Sequence, residues 1–277
     1  MTMYSYKTKI QGPIAVIGDL HGQTDKLSVV LDRIAKLPDF QMRWVVFIGD
    51  FVDRGPDPKS TVEMVIDFAN KHPRTTAVMG NHEFAMCSAL GWLPGSEGSL
   101  WGQRWITHYN SESTFESYGA AVGDLADLAA KVPAAHRDFL VNMPWCVEHP
   151  QLLFVHAGLD PNLPFAVQLR ILQQKDFSLN RPQWLCEKSF VEMDPPADCP
   201  VAVVSGHVKI DVAEIRPRRI LVDTTGGESG DLSCVLMPER KVITSGIAER
   251  TNSQSGLRRA PTAAAATGQS SWWKIWG

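Results

Sequence analysis

Six side chains in this chain of 277 residues carry donor atoms suited to a transition-metal ion: Asp19, His21, Asp50, Asn81, His156 and His207. Two carboxylates, three imidazoles and one amide form a mixed oxygen and nitrogen set that fits manganese, iron or zinc better than calcium. Six ligands exceed one site. If one carboxylate bridges, two ions sit about 3.5–4 Å apart, and a hydroxide between them, deprotonated near neutral pH, is aimed at a phosphorus atom. Asp50, in the middle of the ligand order, is the expected bridge. Any one of these residues alone reads better as a helix cap or as a core or surface histidine. The set does not, because four of the eight histidines follow expected strands or sit beside motif glycines, while His72, His108, His136 and His149 do neither.

Cleaving a phosphate ester also requires a proton for the leaving oxygen and a cation for the phosphoryl oxygens. His82, next to an expected ligand, is placed to act as general acid, and a carboxylate on its far nitrogen, Asp53, would fix its tautomer. Arg54 has the planar fork that grips phosphate. On surface loops the same arginine also serves as a salt-bridging residue.

These residues fall in three strings, Gly18-Asp19-Leu20-His21-Gly22, Gly49-Asp50-Phe51-Val52-Asp53-Arg54-Gly55 and Gly80-Asn81-His82-Glu83, spaced by about one strand, helix, strand unit. Each string should therefore lie just past the C-terminal end of a strand, where open α/β sheets collect ligands. Apolar runs predict strands at 14–17, 44–48 and 75–79. Helical spacing of Leu27, Val30, Leu31 and Ile34 predicts a helix capped by Thr24, and Asp57-Pro58 opens a second one with Val62, Val65, Ile66 and Ala69 on its apolar stripe. Further strands are expected at 152–155, 201–205, 219–223, 232–237 and 241–245, the last three closing a second sheet. The first two end in His156-Ala157-Gly158 and Gly206-His207. Residues 84–140, with Trp92, Trp101 and Trp105 among many glycines, read as an inserted lid or substrate wall. Residues 1–246 thus form one catalytic domain, and 247–277, rich in Ser, Gln, Ala and Arg, read as a flexible tail. Its Ser271-Trp272-Trp273-Lys274-Ile275-Trp276 string reads first as tryptophans that pack on the domain or remain disordered, with a docking peptide or an interfacial anchor as the alternatives.

Composition narrows the function. Twenty-seven basic against 30 acidic residues give a net charge of -3, which argues against a broad grip on nucleic acid. Met1 to Gln11 is polar, and no later apolar run approaches a membrane span, so a cytoplasmic protein is expected. Five widely spaced cysteines, without a Cys-x-x-Cys pair, indicate neither a disulfide framework nor a zinc knuckle.

The ordered strings Gly-Asp-x-His-Gly, Gly-Asp-x-Val-Asp-Arg-Gly, Gly-Asn-His-Glu, His-Ala-Gly and Gly-His resemble the phosphoprotein phosphatase family of calcineurin-like metallophosphoesterases, in its bacterial serine/threonine type. The resemblance covers roughly residues 14 to 245. It implies an α/β sandwich of two mixed β-sheets flanked by helices. It also implies a dinuclear centre of divalent ions, manganese first, with iron or zinc as alternatives. Asp19, His21 and Asp50 would hold one ion, and Asp50, Asn81, His156 and His207 the other. His82 with Asp53 resembles the family's acid pair, Arg54 one of its two phosphate-gripping arginines, and Asn81 a further contact to the phosphoryl group.

One departure stands out. Where bacterial-type members carry a Trp-Ile-Arg-Glu-like string, this chain has Trp184-Leu185-Cys186-Glu187. A charge-assisted hydrogen bond is worth about 1.5–3 kcal/mol, so a missing clamp costs roughly ten- to a hundredfold unless another cation substitutes. Lys188 is the expected substitute, with Arg170 or Arg181 as alternatives, and Cys186 itself is an oxidation site only if its thiol pKa is lowered. The function expected first is a phosphomonoesterase acting on phosphoserine or phosphothreonine. A dinucleoside polyphosphate hydrolase is the second reading, although that branch resembles Val-Ala-Arg-Gly and Gly-Asn-His-Asp where this chain has Asp53 and Glu83. A catalytically weak phospho-binding scaffold is the third. The partners expected are phosphorylated proteins or small phosphoesters.

Overall fold

The structure is a computed structural model that describes residues 4–96 and 99–246. The expected tail and its tryptophan string lie outside the described residues. Among the described residues ten strands form two five-stranded sheets. The first contains β1 (Ile14–Ile17), β2 (Trp44–Phe47), β3 (Thr75–Ala77), β9 (Ser233–Met237) and β10 (Lys241–Thr244), in the order β10-β9-β1-β2-β3. The second contains β4 (Cys146–His149), β5 (Leu152–Val155), β6 (Ala202–Ser205), β7 (Glu214–Ile215) and β8 (Arg219–Leu221), in the order β4-β5-β6-β8-β7. Both sheets are mixed. β1, β2 and β3 run parallel, β9 runs antiparallel to both β1 and β10, and β5, β6 and β8 run parallel between antiparallel β4 and β7.

The runs of β1, β2, β5 and β6 are almost wholly apolar because both faces of these strands are buried. Ile14, Val16, Val46, Leu152, Phe154 and Val204 meet in the core between the sheets. Their alternate neighbours Ala15, Ile17, Val45, Leu153, Val155 and Val203 face outward into the larger core under the helices. α1 (Thr24–Ala35) and α2 (Pro58–Lys71) make the crossovers between parallel strands. Asp57 caps α2 by accepting from Ser60 N at 3.0 Å, with Pro58 in its first turn, as its sequence predicts.

Two expectations need correction. α1 is capped at Gln23 without a side-chain bond; the Thr24 hydroxyl is drawn instead to Thr61 Oγ1 at 2.8 Å and the Asp57 carbonyl on α2. The strands at 233–237 and 241–244 do not close the second sheet. β9 pairs with β1 and returns the chain to the first sheet, while β8 alone of the last three strands joins the second.

The described part of residues 84–140 consists of helices joined by turns. α3 (Asn81–Ala89), α4 (Trp101–His108), α5 (Glu112–Ser117) and α6 (Leu125–Lys131) lead into α7 (Ala134–Asn142). Phe84, Trp101, Trp105, Phe115 and Phe139 join the same core as β1 and β2, so this segment is packed as firmly as the sheet. Among the described residues no helix is long and apolar enough to cross a membrane.

Candidate active site

Every motif loop leaves the C-terminal end of a parallel strand, from β1, β2 and β3 in one sheet and from β5 and β6 in the other. All six expected ligands converge at this common rim. The loops are tight: His21, Asp50, Asp53, Arg54 and His207 all have positive φ, five of the eight such non-glycine residues described. Left-handed backbone of this kind costs free energy and is held by surrounding structure, so its concentration here marks a built site. At Gly80 a Cβ would lie 2.1 Å from Asp50 Oδ1, and at Gly206 one would lie 1.9 Å from Asp19 Oδ1. Only glycine allows the carboxylates that approach.

Asp50 is central. Its Oδ2 lies 3.4 Å from His21 Nε2, 3.3 Å from His156 Nε2 and 3.9 Å from His82 Nε2. His21 Nδ1 is 2.9 Å from the Val52 carbonyl and His156 Nδ1 is 2.8 Å from the Ile48 carbonyl. Carbonyls only accept, so both Nδ1 atoms carry the proton and both Nε2 atoms turn lone pairs toward the carboxylate. Acceptors facing acceptors at such distances need a cation or a proton between them. Where a proton fills that role, burial opposes a charged His156, yet the Asp50 carboxylate carries it up to about 10. Burial likewise opposes the Asp50 charge, but His156 and His82 hold the group well below the usual carboxylate range.

The remaining donors complete the enclosure. Asn81 Oδ1 is 3.0 Å from His156 Nε2 and 2.8 Å from His207 Nδ1. Asp19 Oδ2 accepts from the His207 backbone N–H at 2.9 Å. Asp19 Oδ1 and His207 Nε2 are buried without a partner among the described residues. Burial, then the neighbouring Asp223, pushes Asp19 well above its ordinary value, while burial drives His207 down to about 3. Orphaned buried donors of these types fit divalent cations, which would relieve both penalties. Two groups of ligand atoms fall within 4.8 Å of one another, His21-Asp50-His82 and Asp50-His156-His207. Asp50 belongs to both. Asp19 stands outside these groups, and His82 stands inside one of them, unlike the assignment the family resemblance implies.

His82 and Asp53 form a close pair, Nδ1 to Oδ2 at 2.8 Å, both fully buried. The same Oδ2 accepts from Trp105 Nε1 at 2.8 Å, and Asp53 Oδ1 accepts from the Thr114 hydroxyl at 2.6 Å. Burial raises Asp53 to about 7 and pulls His82 well below its usual value, so the pair keeps one proton up to near neutral pH.

Three residues with no role assigned from sequence hold this arrangement. Glu83, fully buried, accepts from the backbone N–H groups of Asp50, Phe51, Val52 and Gly80. It thereby ties the start of α3 to the loop after β2 and fixes the backbone that presents Asp50. Trp105 and Thr114 come from α4 and α5 and lock Asp53. A carboxylate three residues into a helix signals a bond back to the helix start, but nothing in the sequence marks the longer-range contacts.

An open cavity of about 430 Å³ lies over these atoms, with Arg54, Asn81, His82, Cys186, Lys188 and His207 on its lining. Arg54 Nη1 donates to the Gly226 carbonyl at 2.8 Å and lies 3.3 Å from His21 Nε2. Lys188 reaches the lining, as does Arg181, whose Nη2 donates to the Cys186 carbonyl at 3.0 Å. Arg170 is exposed and takes no part in it. Burial raises the Cys186 thiol to about 12, the opposite of what easy oxidation requires.

Sheet order, motif loops and donor set define a metallophosphoesterase, and residues 12–232 match the calcineurin-like phosphoesterase family. The chain belongs to that family. It is 29% identical over 168 residues to the serine/threonine-protein phosphatase SIT4 of Candida albicans, covering 60% of this chain and 45% of that protein. It is 26% identical over 170 residues to the symmetrical bis(5'-nucleosyl)-tetraphosphatase of Vibrio cholerae, covering 61% of this chain and 53% of the relative. The aligned chain spans about half the length of these curated relatives. Solved structures of similar fold include a candidate diadenosine tetraphosphatase, with TM-score 0.57 and 19% identity over 86% of this chain and 97% of that one. A Saccharomyces cerevisiae serine/threonine phosphatase with similarity to human PP5 matches with TM-score 0.52 and 16% identity over 89% of this chain and 85% of that one.

Proposed function

We propose that the chain is a metal-dependent phosphomonoesterase acting on phosphoserine or phosphothreonine in proteins. The observation that carries this reading is the His82–Asp53 pair, 2.8 Å long and fixed on its far side by Trp105 and Thr114. A serine or threonine alkoxide is a poor leaving group and needs a proton as the bond to phosphorus breaks, whereas a nucleotide phosphate leaves as a stable anion. A proton donor built this carefully suits the alkyl ester.

Two divalent cations, manganese by preference, would supply an activated hydroxide and positive charge opposite the phosphoryl oxygens. Asp50 would be shared between them, with Asp19 and His21 on one side and Asn81, His156 and His207 on the other. Arg54, beside His21, lines the cavity, where its guanidinium would grip two phosphoryl oxygens, and Lys188 would add a second cation in place of the arginine absent at Cys186. His82 holds its proton at Nε2 toward the ester oxygen, and Asp53 keeps the ring turned that way. Five buried free cysteines agree with work in a reducing, cytoplasmic setting.

The symmetrical tetraphosphatase relative keeps a second reading in view, hydrolysis of dinucleoside polyphosphates. Assaying the manganese-loaded chain on a phosphoserine peptide beside diadenosine tetraphosphate separates the two. The first reading expects the peptide to be cleaved with the higher kcat/KM; the reverse order overturns it. Absence of turnover on either, and on p-nitrophenyl phosphate, would leave a phospho-binding scaffold.

A further inference from the structure

We propose that a cleft beside the active-site cavity, sharing Arg104 and Arg181 with it, receives an acidic stretch next to the phosphorylated residue, so that the enzyme selects phosphoproteins carrying a carboxylate or second phosphate close to the scissile ester. This rests on the phosphomonoesterase reading and names its substrate class more narrowly.

Arg104 and Arg181 line both the active-site cavity and a neighbouring cleft of about 400 Å³. Among the described residues the cleft's other lining members are Ser99, Leu100, Trp101 and Asn180, none of them acidic. Among the described residues lining the cavity itself, Arg54, Arg104, Arg181, Lys188 and Lys209 oppose a single carboxylate, Glu228. A chain of net charge -3 has thus gathered a local surplus of cations at one opening. Such a surplus draws anions and rejects basic segments.

The two arginines are placed by contacts with the active site. Arg104, on α4, lies 5.6 Å over the Trp101 ring, and the Tyr109 hydroxyl faces both Arg104 and the expected ligand Asn81. Arg181 is anchored on the Cys186 carbonyl. Among the described residues neither arginine belongs to an ion pair. Each retains guanidinium N–H groups for a ligand.

The cleft suits a peptide better than a nucleotide. A base needs an open aromatic face to stack on. Trp101, the one ring on this lining among the described residues, is 6% exposed and its face is covered by Arg104. Leu100, 82% exposed, offers instead an aliphatic step for a side chain beside the acidic group.

The test uses the full manganese-loaded chain and two phosphoserine peptides that differ only in two neighbouring residues, glutamate in one and glutamine in the other. Binding is read by fluorescence anisotropy on labelled phosphonate versions that resist cleavage, and turnover by phosphate release. The expected result is about tenfold tighter binding of the glutamate peptide, fading as salt rises. The preference should fall to about one in the double variant Arg104→Gln, Arg181→Gln. In Arg104→Glu it should shift toward a lysine-flanked peptide, a gain that a misfolded protein would not produce. Equal binding of the glutamate and glutamine peptides by the wild type, or a preference that survives both variants, overturns the proposal. So does diadenosine tetraphosphate binding more tightly than the glutamate peptide through the same two arginines. If the binding preference holds but neither peptide is hydrolysed while p-nitrophenyl phosphate is, the subsite stands and the phosphoprotein phosphatase reading fails.

Discussion

The inner and outer parts of the active site are built in opposite ways. Inside, Asp50, Asp53, His82 and Glu83 are all at most 1% exposed, and each is fixed by two or more hydrogen bonds or short contacts to backbone or buried side chains. Outside, Arg54, Arg104, Arg181 and Lys188 are exposed side chains held by few contacts. The inner part is rigid because acceptors crowded at 3.3–3.4 Å would spread apart unless the backbone held them. The outer part is adaptable because it meets a varied partner. Substitutions inside should therefore change the chemistry, substitutions of Arg104 and Arg181 should change which substrate is preferred, and loss of Arg54 or Lys188 should weaken the grip on the phosphoryl group.

Breaking the inner part should have the largest effect. His82→Asn is expected to lower kcat on a phosphoserine peptide about 10²- to 10⁴-fold while leaving manganese content unchanged. The loss on p-nitrophenyl phosphate should be much smaller, since a good leaving group needs less protonation. Equal losses in a leaving-group series would remove His82 from the role of acid.

Glu83→Gln puts an amide where four backbone N–H groups converge, so one side-chain position can no longer accept. Each orphaned buried donor costs about 1–3 kcal/mol. The melting temperature should fall by several degrees, and manganese should bind more weakly because the Asp50 loop loosens. An unchanged melting temperature would show that the four bonds are not all needed.

A sharper probe is Trp105→Phe, which removes only the Nε1–H donor to Asp53. About a tenfold loss in kcat on the phosphopeptide is expected, with KM nearly unchanged and full metal content. A change confined to KM would make Trp105 part of the substrate wall instead.

The smallest effect concerns Cys186. A thiol raised to about 12 is un-ionised at pH 7.5, and its thiolate increases only as pH climbs toward that value. Site-resolved alkylation with iodoacetamide should be far slower at Cys186 than for a free thiol at pH 7.5, and should accelerate with pH. Rapid alkylation at neutral pH would restore the oxidation-sensitive reading.

Much of this site is legible in the sequence because its loops follow short apolar strands directly, and strand, loop and ligand are then local. Strands at 14–17 and 152–155 lie where their residues place them, and Asp57-Pro58 opens α2. What escaped is non-local. β9 and β10 look like any apolar strands, and nothing in Ser233–Met237 specifies β1 as partner. β4 and β7 escaped as well, β7 because Glu214–Ile215 is only two residues long. Trp105 and Thr114 lie 52 and 61 residues from Asp53, so their bonds to its carboxylate exist only once the helices pack. Thr24 has the right residue type for a cap, but Thr61 and the Asp57 carbonyl claim its hydroxyl.

The central claim is that Asp50 is shared by two cation positions, and manganese stoichiometry measured by elemental analysis on wild type and Asp50→Asn tests it most directly. We expect two ions per chain in the wild type and the loss of both tight sites, together with phosphatase activity, in the variant. Two tightly bound ions in Asp50→Asn would contradict the shared carboxylate and with it the mechanism proposed for this rim.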